Sequence, residues 1–238
     1  MSVDAVIFDW GGTLTPWATI DYRDEWRSVA SVAAPDDAED LTSALLEAAT
    51  AVWARARDEH RSATFEEICA LAGCAVTSDS IAAYRAFWEP ATITNRDARP
   101  LFESLRDHDI KVGVLSNTVW PRAWHEEIFV RDGVDRLIDG DVYTSEIDWT
   151  KPHPEAFTTA MAAVDVDDPG SCVFVGDRLF DDIWGAAAVG MRTIHVPHST
   201  IPVDQIGHSI GEPDAVVQRL SEVADVVGNW HDIRWTTC

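Results

Sequence analysis

Val3-Asp4-Ala5-Val6-Ile7-Phe8-Asp9-Trp10-Gly11-Gly12-Thr13-Leu14 decides the reading of this chain. Six residues, mostly β-formers and apolar on both faces, give a strand buried on two sides, as in a parallel sheet. The run stops at an aspartate followed by two glycines. Carboxyl ends of strands are where open α/β sheets place their ligands. Glycine lets the backbone approach closely, and the amides of such a turn can hold anionic oxygens. Asp9 is therefore expected to be poised for attack on phosphorus, splitting hydrolysis into two steps through an aspartyl-phosphate.

Three further segments complete the chemistry in order. Leu115-Ser116-Asn117 follows an apolar run, Lys151-Pro152 lies in a loop, and Gly176-Asp177 ends another run with Asp181-Asp182 close behind. Ser116 can donate to a phosphoryl oxygen, and Lys151 can neutralise the transferred group. Asp177 and Asp182 lie five residues apart across a strand-to-helix turn, so both could face a cation beside Asp9. Mg²⁺ suits a site of carboxylate, carbonyl and phosphate oxygens.

Strands are expected at Val3–Asp9, Lys111–Ser116, Ser171–Gly176 and Arg192–Val196. Helical patterns lie between them at Arg99–Asp107, Pro121–Val130, Pro154–Val164 and Asp181–Val189. The alternation predicts an α/β class core, a Rossmann-like doubly wound parallel sheet. From Pro16 to Pro90 it breaks. Asp24–Ala33, Asp36–Arg61, Thr64–Ala72 and Ser78–Trp88 read as four helices of a module inserted after the first strand. The expected domains are residues 1-15 with 91-238 as core, and 16-90 as an inserted α-helical cap. Trp17, Trp26, Trp53 and Trp88 should mostly fill that module's core, with one or two left for a pocket. A last helix is predicted over Asp214–Val226, followed by an aromatic end, Trp230 and Trp235, docking on the core.

Composition narrows the function. Asp and Glu outnumber Lys and Arg 41 to 18, a formal charge of −23. Such a surface repels nucleic acid, so no polynucleotide partner is expected. Any anion site must rely on local cations. No apolar stretch approaches the ~20 residues that span a bilayer, and the N-terminal run reads as a core strand, not a signal peptide. No membrane partner and a cytoplasmic location are the resulting expectations. Cys69, Cys74, Cys172 and Cys238 lack metal-site spacing and read as core thiols.

In order and spacing, these four segments resemble the haloacid dehalogenase-like (HAD) hydrolase superfamily, in the subgroup with a helical cap between motifs one and two. The resemblance covers nearly the whole chain. It implies a small phosphorylated substrate, a Mg²⁺ cofactor, and a set of roles. Asp9 would be nucleophile and metal ligand, and Lys151 the second catalytic residue. Gly12, Ser116, Asn117 and Lys151 would bind the phosphoryl group. The Gly11 backbone carbonyl, Asp177 and Asp182 would complete the metal site. Arg178 is expected to be solvated at a helix start, and His153 to be a loop residue.

One position departs from the pattern. Motif one of the family reads Asp-x-Asp, but Gly11 stands where the second aspartate protonates the leaving oxygen. Loss of a positioned acid costs ~10²–10⁴-fold. The residues leave three readings: a phosphatase whose acid comes from elsewhere or is not needed, a related covalent chemistry, or a fold-retaining binding or regulatory protein. Within the cap, Asp21, Asp24, Glu25 and His60 are candidate acids. Dehalogenation is disfavoured because attack on carbon needs no metal, yet the acidic fourth motif is intact. Carbon–phosphorus cleavage of the family's kind needs a cap lysine, and the only lysines are Lys111 and Lys151.

Overall fold

The computed structural model describes residues 2–197 and 209–231. Its centre is a six-stranded parallel sheet: β1 Ala5–Phe8, β2 Lys111–Ser116, β3 Gly140–Tyr143, β4 Cys172–Gly176, β5 Arg192–His195 and β6 Ala215–Val216. The strand order is β3-β2-β1-β4-β5-β6, with every pairing parallel. Alternate residues of β1 enter two separate cores. Val6 and Phe8 join one with Phe102, while Ala5 and Ile7 join another with Phe157 and Phe174. Full burial of a side chain such as Phe8 contributes about 1.5–3 kcal/mol, which is why the opening run reads apolar at every position.

Helices follow the strands: α1 Tyr22–Ala33, α2 Ala38–Glu59, α3 Phe65–Leu71 and α4 Ser78–Trp88 fall between β1 and β2, ahead of α5 Ala98–Arg106. Three of the first four start at a side-chain cap. Asp21 accepts from the Arg23 and Asp24 amides at the start of α1, Thr64 caps α3, and Thr77 with Ser80 forms a capping box on α4. Past β2 come α6 Arg122–Asp132, α7 Pro154–Ala163, α8 Gly185–Ala188 and α9 Val223–Trp230. Among the described residues no helix is long and apolar enough to cross a membrane.

Two predicted elements differ. The helix expected over Asp214–Val226 starts only at Val223. Before it, Ala215 and Val216 pair with Ile194 and His195 as an edge strand. Asp214 directs this, since its carboxylate accepts from the Thr193 amide and hydroxyl, and Thr193 Oγ1 accepts from its amide. In place of one helix over Asp181–Val189, a wide turn at Leu179–Trp184 precedes the short α8. Strand β3 had no strong apolar run and was not anticipated. Cys69, Cys74 and Cys172 are buried free thiols, whereas Trp235 and Cys238 lie outside the described residues.

Candidate active site

The strand order reverses at β1, and both flanking strands there end in an aspartate. Asp9 follows β1 and Asp177 follows β4, so the crevice between two parallel neighbours carries two carboxylates by topology alone. After Asp9 the chain turns tightly, and the Thr15 amide donates to the Trp10 carbonyl. Gly12 sits in this turn at φ +91, and a Cβ there would come within 2.7 Å of Asp177 Oδ2. Glycine is thus required twice over, by backbone conformation and by the approach of the second strand end.

Lys151 enters from the loop before α7. Its ammonium donates to Asp9 Oδ1 at 2.7 Å and to Asp182 Oδ1 at 2.6 Å. Asn117 holds the lysine's backbone in place: its Nδ2 donates to the Lys151 carbonyl, and its Oδ1 accepts from the Lys151 amide. Both polar atoms of Asn117 are therefore used on Lys151. Ser116 is buried at the end of β2 and lines the same cavity as Asp9 and Lys151.

Asp182 accepts from Lys151 and from the Arg178 amide, so each of its oxygens has a partner. Asp177 differs. Both of its carboxylate oxygens, and Oδ2 of Asp9, are buried with no hydrogen-bond partner. Asp9, Asp177 and Asp182 bring one oxygen each within 4.8 Å of one another, the one group of this kind among the described residues. Unpaired buried carboxylate oxygens are costly unless a cation or proton meets them. Hard anionic oxygens of this type are what a small divalent ion takes, so the donor set fits one.

Electrostatics say the same. Burial pushes the Asp9 carboxyl up to about 6, against the pull of Lys151. Burial, and then Asp9 and Asp182, hold Asp177 well above the carboxylate range. Burial alone would lower the Lys151 ammonium, but Asp182 and Asp9 reverse this and raise it. Three buried carboxyl groups thus share Lys151 and, at 3.7 Å from Asp177, Arg178.

Arg178 is a correction to the sequence reading. Rather than facing solvent, its guanidinium lies 4.5 Å over the Trp17 ring, with Nε 3.7 Å from Asp177 Oδ2. Trp17 itself packs against the Gly12 turn, and an aromatic partner 161 chain positions from Arg178 left no signal in the local pattern. His153 accepts from the Glu155 amide at the start of α7 and stacks on Trp149, so it is a cap.

Asp9, Asp182 and Lys151 open into a cavity of about 770 Å³, lined on its other side by the inserted helices. Of the four candidate acids in that segment, Glu25 alone reaches the lining. Asp21 caps α1 and Asp24 pairs with Arg27. His60 ends α2 in a left-handed conformation. Glu25 accepts from Trp88 Nε1 at 3.0 Å, and burial pushes its carboxyl up to about 7 against hydrogen bonds from Tyr84 and Trp88. Because the folded value exceeds the ordinary one of 4.5, Glu25 favours folding below pH 4.5 and loses that contribution as pH rises through about 7. The stability advantage of wild type over Glu25→Gln should fall by about 3 kcal/mol across that window. Urea unfolding of both proteins from acid to mildly alkaline pH measures it, and a pH-independent difference would contradict the buried ionisation.

A family model for haloacid dehalogenase-like hydrolases matches residues 3–190, spanning every segment just described. The chain belongs to the haloacid dehalogenase-like hydrolases. It is 30% identical over 131 residues to the glyceraldehyde 3-phosphate phosphatase of Methanopyrus kandleri, covering 55% of each chain. It thus spans about half the length of the curated relatives it matches first. Among solved structures, a 2-haloacid dehalogenase from Pseudomonas syringae pv. Tomato superposes with a TM-score of 0.66 at 22% identity, covering 96% of this chain and 99% of that one. A HAD phosphatase from Thermococcus onnurineus superposes with a TM-score of 0.64 at 21% identity, covering 95% and 98%. At such identities the superpositions establish the HAD fold.

Proposed function

We propose that this HAD hydrolase is a Mg²⁺-dependent phosphatase of a small phosphorylated metabolite, acting through an aspartyl-phosphate on Asp9. The observation that carries the reading is the convergence of Asp9, Lys151 and Asp182 on one cavity, with Asp177 completing the carboxylate cluster behind them. The phosphatase named among its relatives points the same way. Residues 1-15 and 91-238 form the core domain in this reading, and residues 16-90 form the cap domain that covers the substrate.

An Asp9 oxygen attacks phosphorus, and the bond from phosphorus to the leaving oxygen breaks with its electron pair going to that oxygen. Water then attacks the aspartyl-phosphate, releasing phosphate and regenerating the carboxylate. Lys151 fixes Asp9 Oδ1 and balances charge on the transferred group, while Asn117 keeps Lys151 in position. Ser116 and the Gly12 amide hold phosphoryl oxygens. Asp9, Asp177 and the Gly11 carbonyl, with Asp182 bracing Lys151, would hold Mg²⁺, which supplies charge neutralisation between two anions that otherwise repel. Gly11 brings no proton, so good leaving groups should react best.

The test is turnover of aryl, alkyl and acyl phosphates with Mg²⁺ and after chelation, together with mass-spectrometric capture of phosphate on Asp9. Chelation should stop turnover, and Asp9→Asn should carry no phosphate. Turnover without a labelled Asp9, or undiminished in chelator, would overturn the assignment. No turnover of any ester, with ligand binding intact, would instead favour the regulatory reading.

A further inference from the structure

The cap side of the cavity is unusually aromatic. Trp17, Trp26, Trp53, Tyr84 and Trp88 all line it, and Glu25 is the one acidic residue that the inserted segment adds. A phosphoryl group needs only a small part of about 770 Å³, so most of the space belongs to the leaving group. Indole faces attract cations through their negative quadrupole. Glu25 is 4% exposed, and among the described residues its carboxyl meets Trp88 and Tyr84 and no Lys, Arg or His. The cavity's cations are committed elsewhere. Lys151 and Arg178 sit beside Asp9 and Asp177, and Arg57 pairs with Asp58.

A bracing role between α1 and α4 explains the Trp88 hydrogen bond. It does not explain a carboxylate, since a glutamine would accept that bond without the burial cost. An acidic group enclosed among tryptophans, without a protein cation, is complementary to a cationic ligand. The net charge of −23 adds to this, because a zwitterionic ester is repelled less than a purely anionic one.

Building on the phosphatase reading, we infer that the substrate is a phosphate monoester whose leaving group carries an ammonium centre, seated among the cap tryptophans with Glu25 as its counter-ion. Phosphate stays at Asp9 and Lys151, and the nitrogen cation lies on the cap side. Substrate choice then resides in α1, α2 and α4.

Tyramine O-phosphate and its carbon isostere para-propylphenyl phosphate separate the charge from the shape. Calorimetry with Asp9→Asn and Mg²⁺ measures binding without turnover, and steady-state kinetics of the wild type measure KM. The ammonium ester should bind about tenfold or more tightly than the isostere. In the background of Glu25→Gln that ratio should collapse toward unity. Equal binding of the two esters by the protein with Glu25 intact overturns the inference, and needs no further variant to fold. A preference that persists in Glu25→Gln overturns the role of that carboxylate. Ammonium-selective, Glu25-dependent binding without hydrolysis of either ester would support the cation site while removing the phosphatase reading. Hydrolysis of both without selectivity would do the reverse.

Discussion

Gly11→Asp should raise turnover of alkyl phosphates by about 10²–10⁴-fold, the range that a positioned general acid contributes. The backbone already accepts the residue. Gly11 has φ −77 and ψ 112, and a Cβ there meets no atom within 4 Å. Gly11 itself lines the cavity beside Asp9, so the new side chain starts from open space. Aryl and acyl phosphates should gain far less, because their leaving groups depart without a proton. The contrast between classes is the measurement, made as kcat/KM under saturating Mg²⁺. Wild-type rates on alkyl esters already equal to those on aryl esters would show that another group protonates the leaving oxygen. Glu25 and Asp181 line the cavity and would be the groups to replace next. An unchanged alkyl rate in Gly11→Asp would refute the view that position 11 limits the reaction.

The parts of this site that were legible in the sequence are those dictated by chain direction. Asp9, Ser116 and Asp177 each end or follow a strand buried on both faces, and an apolar run stopping at a polar residue is a local pattern. Lys151 was readable from the Lys151-Pro152 pair and its place in the order of the four segments. What was not legible is pairwise. Arg178 lies over Trp17, and Asn117 braces Lys151 across 34 positions. Neither contact leaves a trace in either neighbourhood. Edge strands escaped for a related reason. β3 is Gly-Asp-Val-Tyr, and only half of it is buried, so its membership depends on β2 rather than on its own composition. Glu25 stood among four equal candidates until the fold of α1 turned it toward Trp88 and the cavity.

Lys151→Met should destabilise the protein by about 3–5 kcal/mol near neutral pH, the usual cost of removing one partner from a buried ion pair. Methionine keeps an unbranched apolar stem, so packing against the stem changes little. The ammonium is what goes. Asp9 and Asp182 each lose the ammonium bond, at 2.7 Å and 2.6 Å, beside Asp177, whose oxygens accept no hydrogen bond. The pH dependence has a definite sign. Burial already holds Asp9 at about 6 and Asp177 well above the usual carboxylate range, and in both cases Lys151 pulls the value down. Without it both rise further. A carboxyl whose folded value exceeds its unfolded one weakens folding increasingly as pH climbs through that value. The deficit of Lys151→Met should therefore be small in acid, where the carboxyls carry protons, and largest above neutrality. A divalent ion competes for the same charge, so millimolar Mg²⁺ should recover more stability in the variant than in the wild type. Denaturation in acid and in mild alkali, each with and without Mg²⁺, reads both effects. A deficit that ignores pH and metal alike would mean that Lys151 matters for its packing, and that the three carboxylates are not a charged site at all.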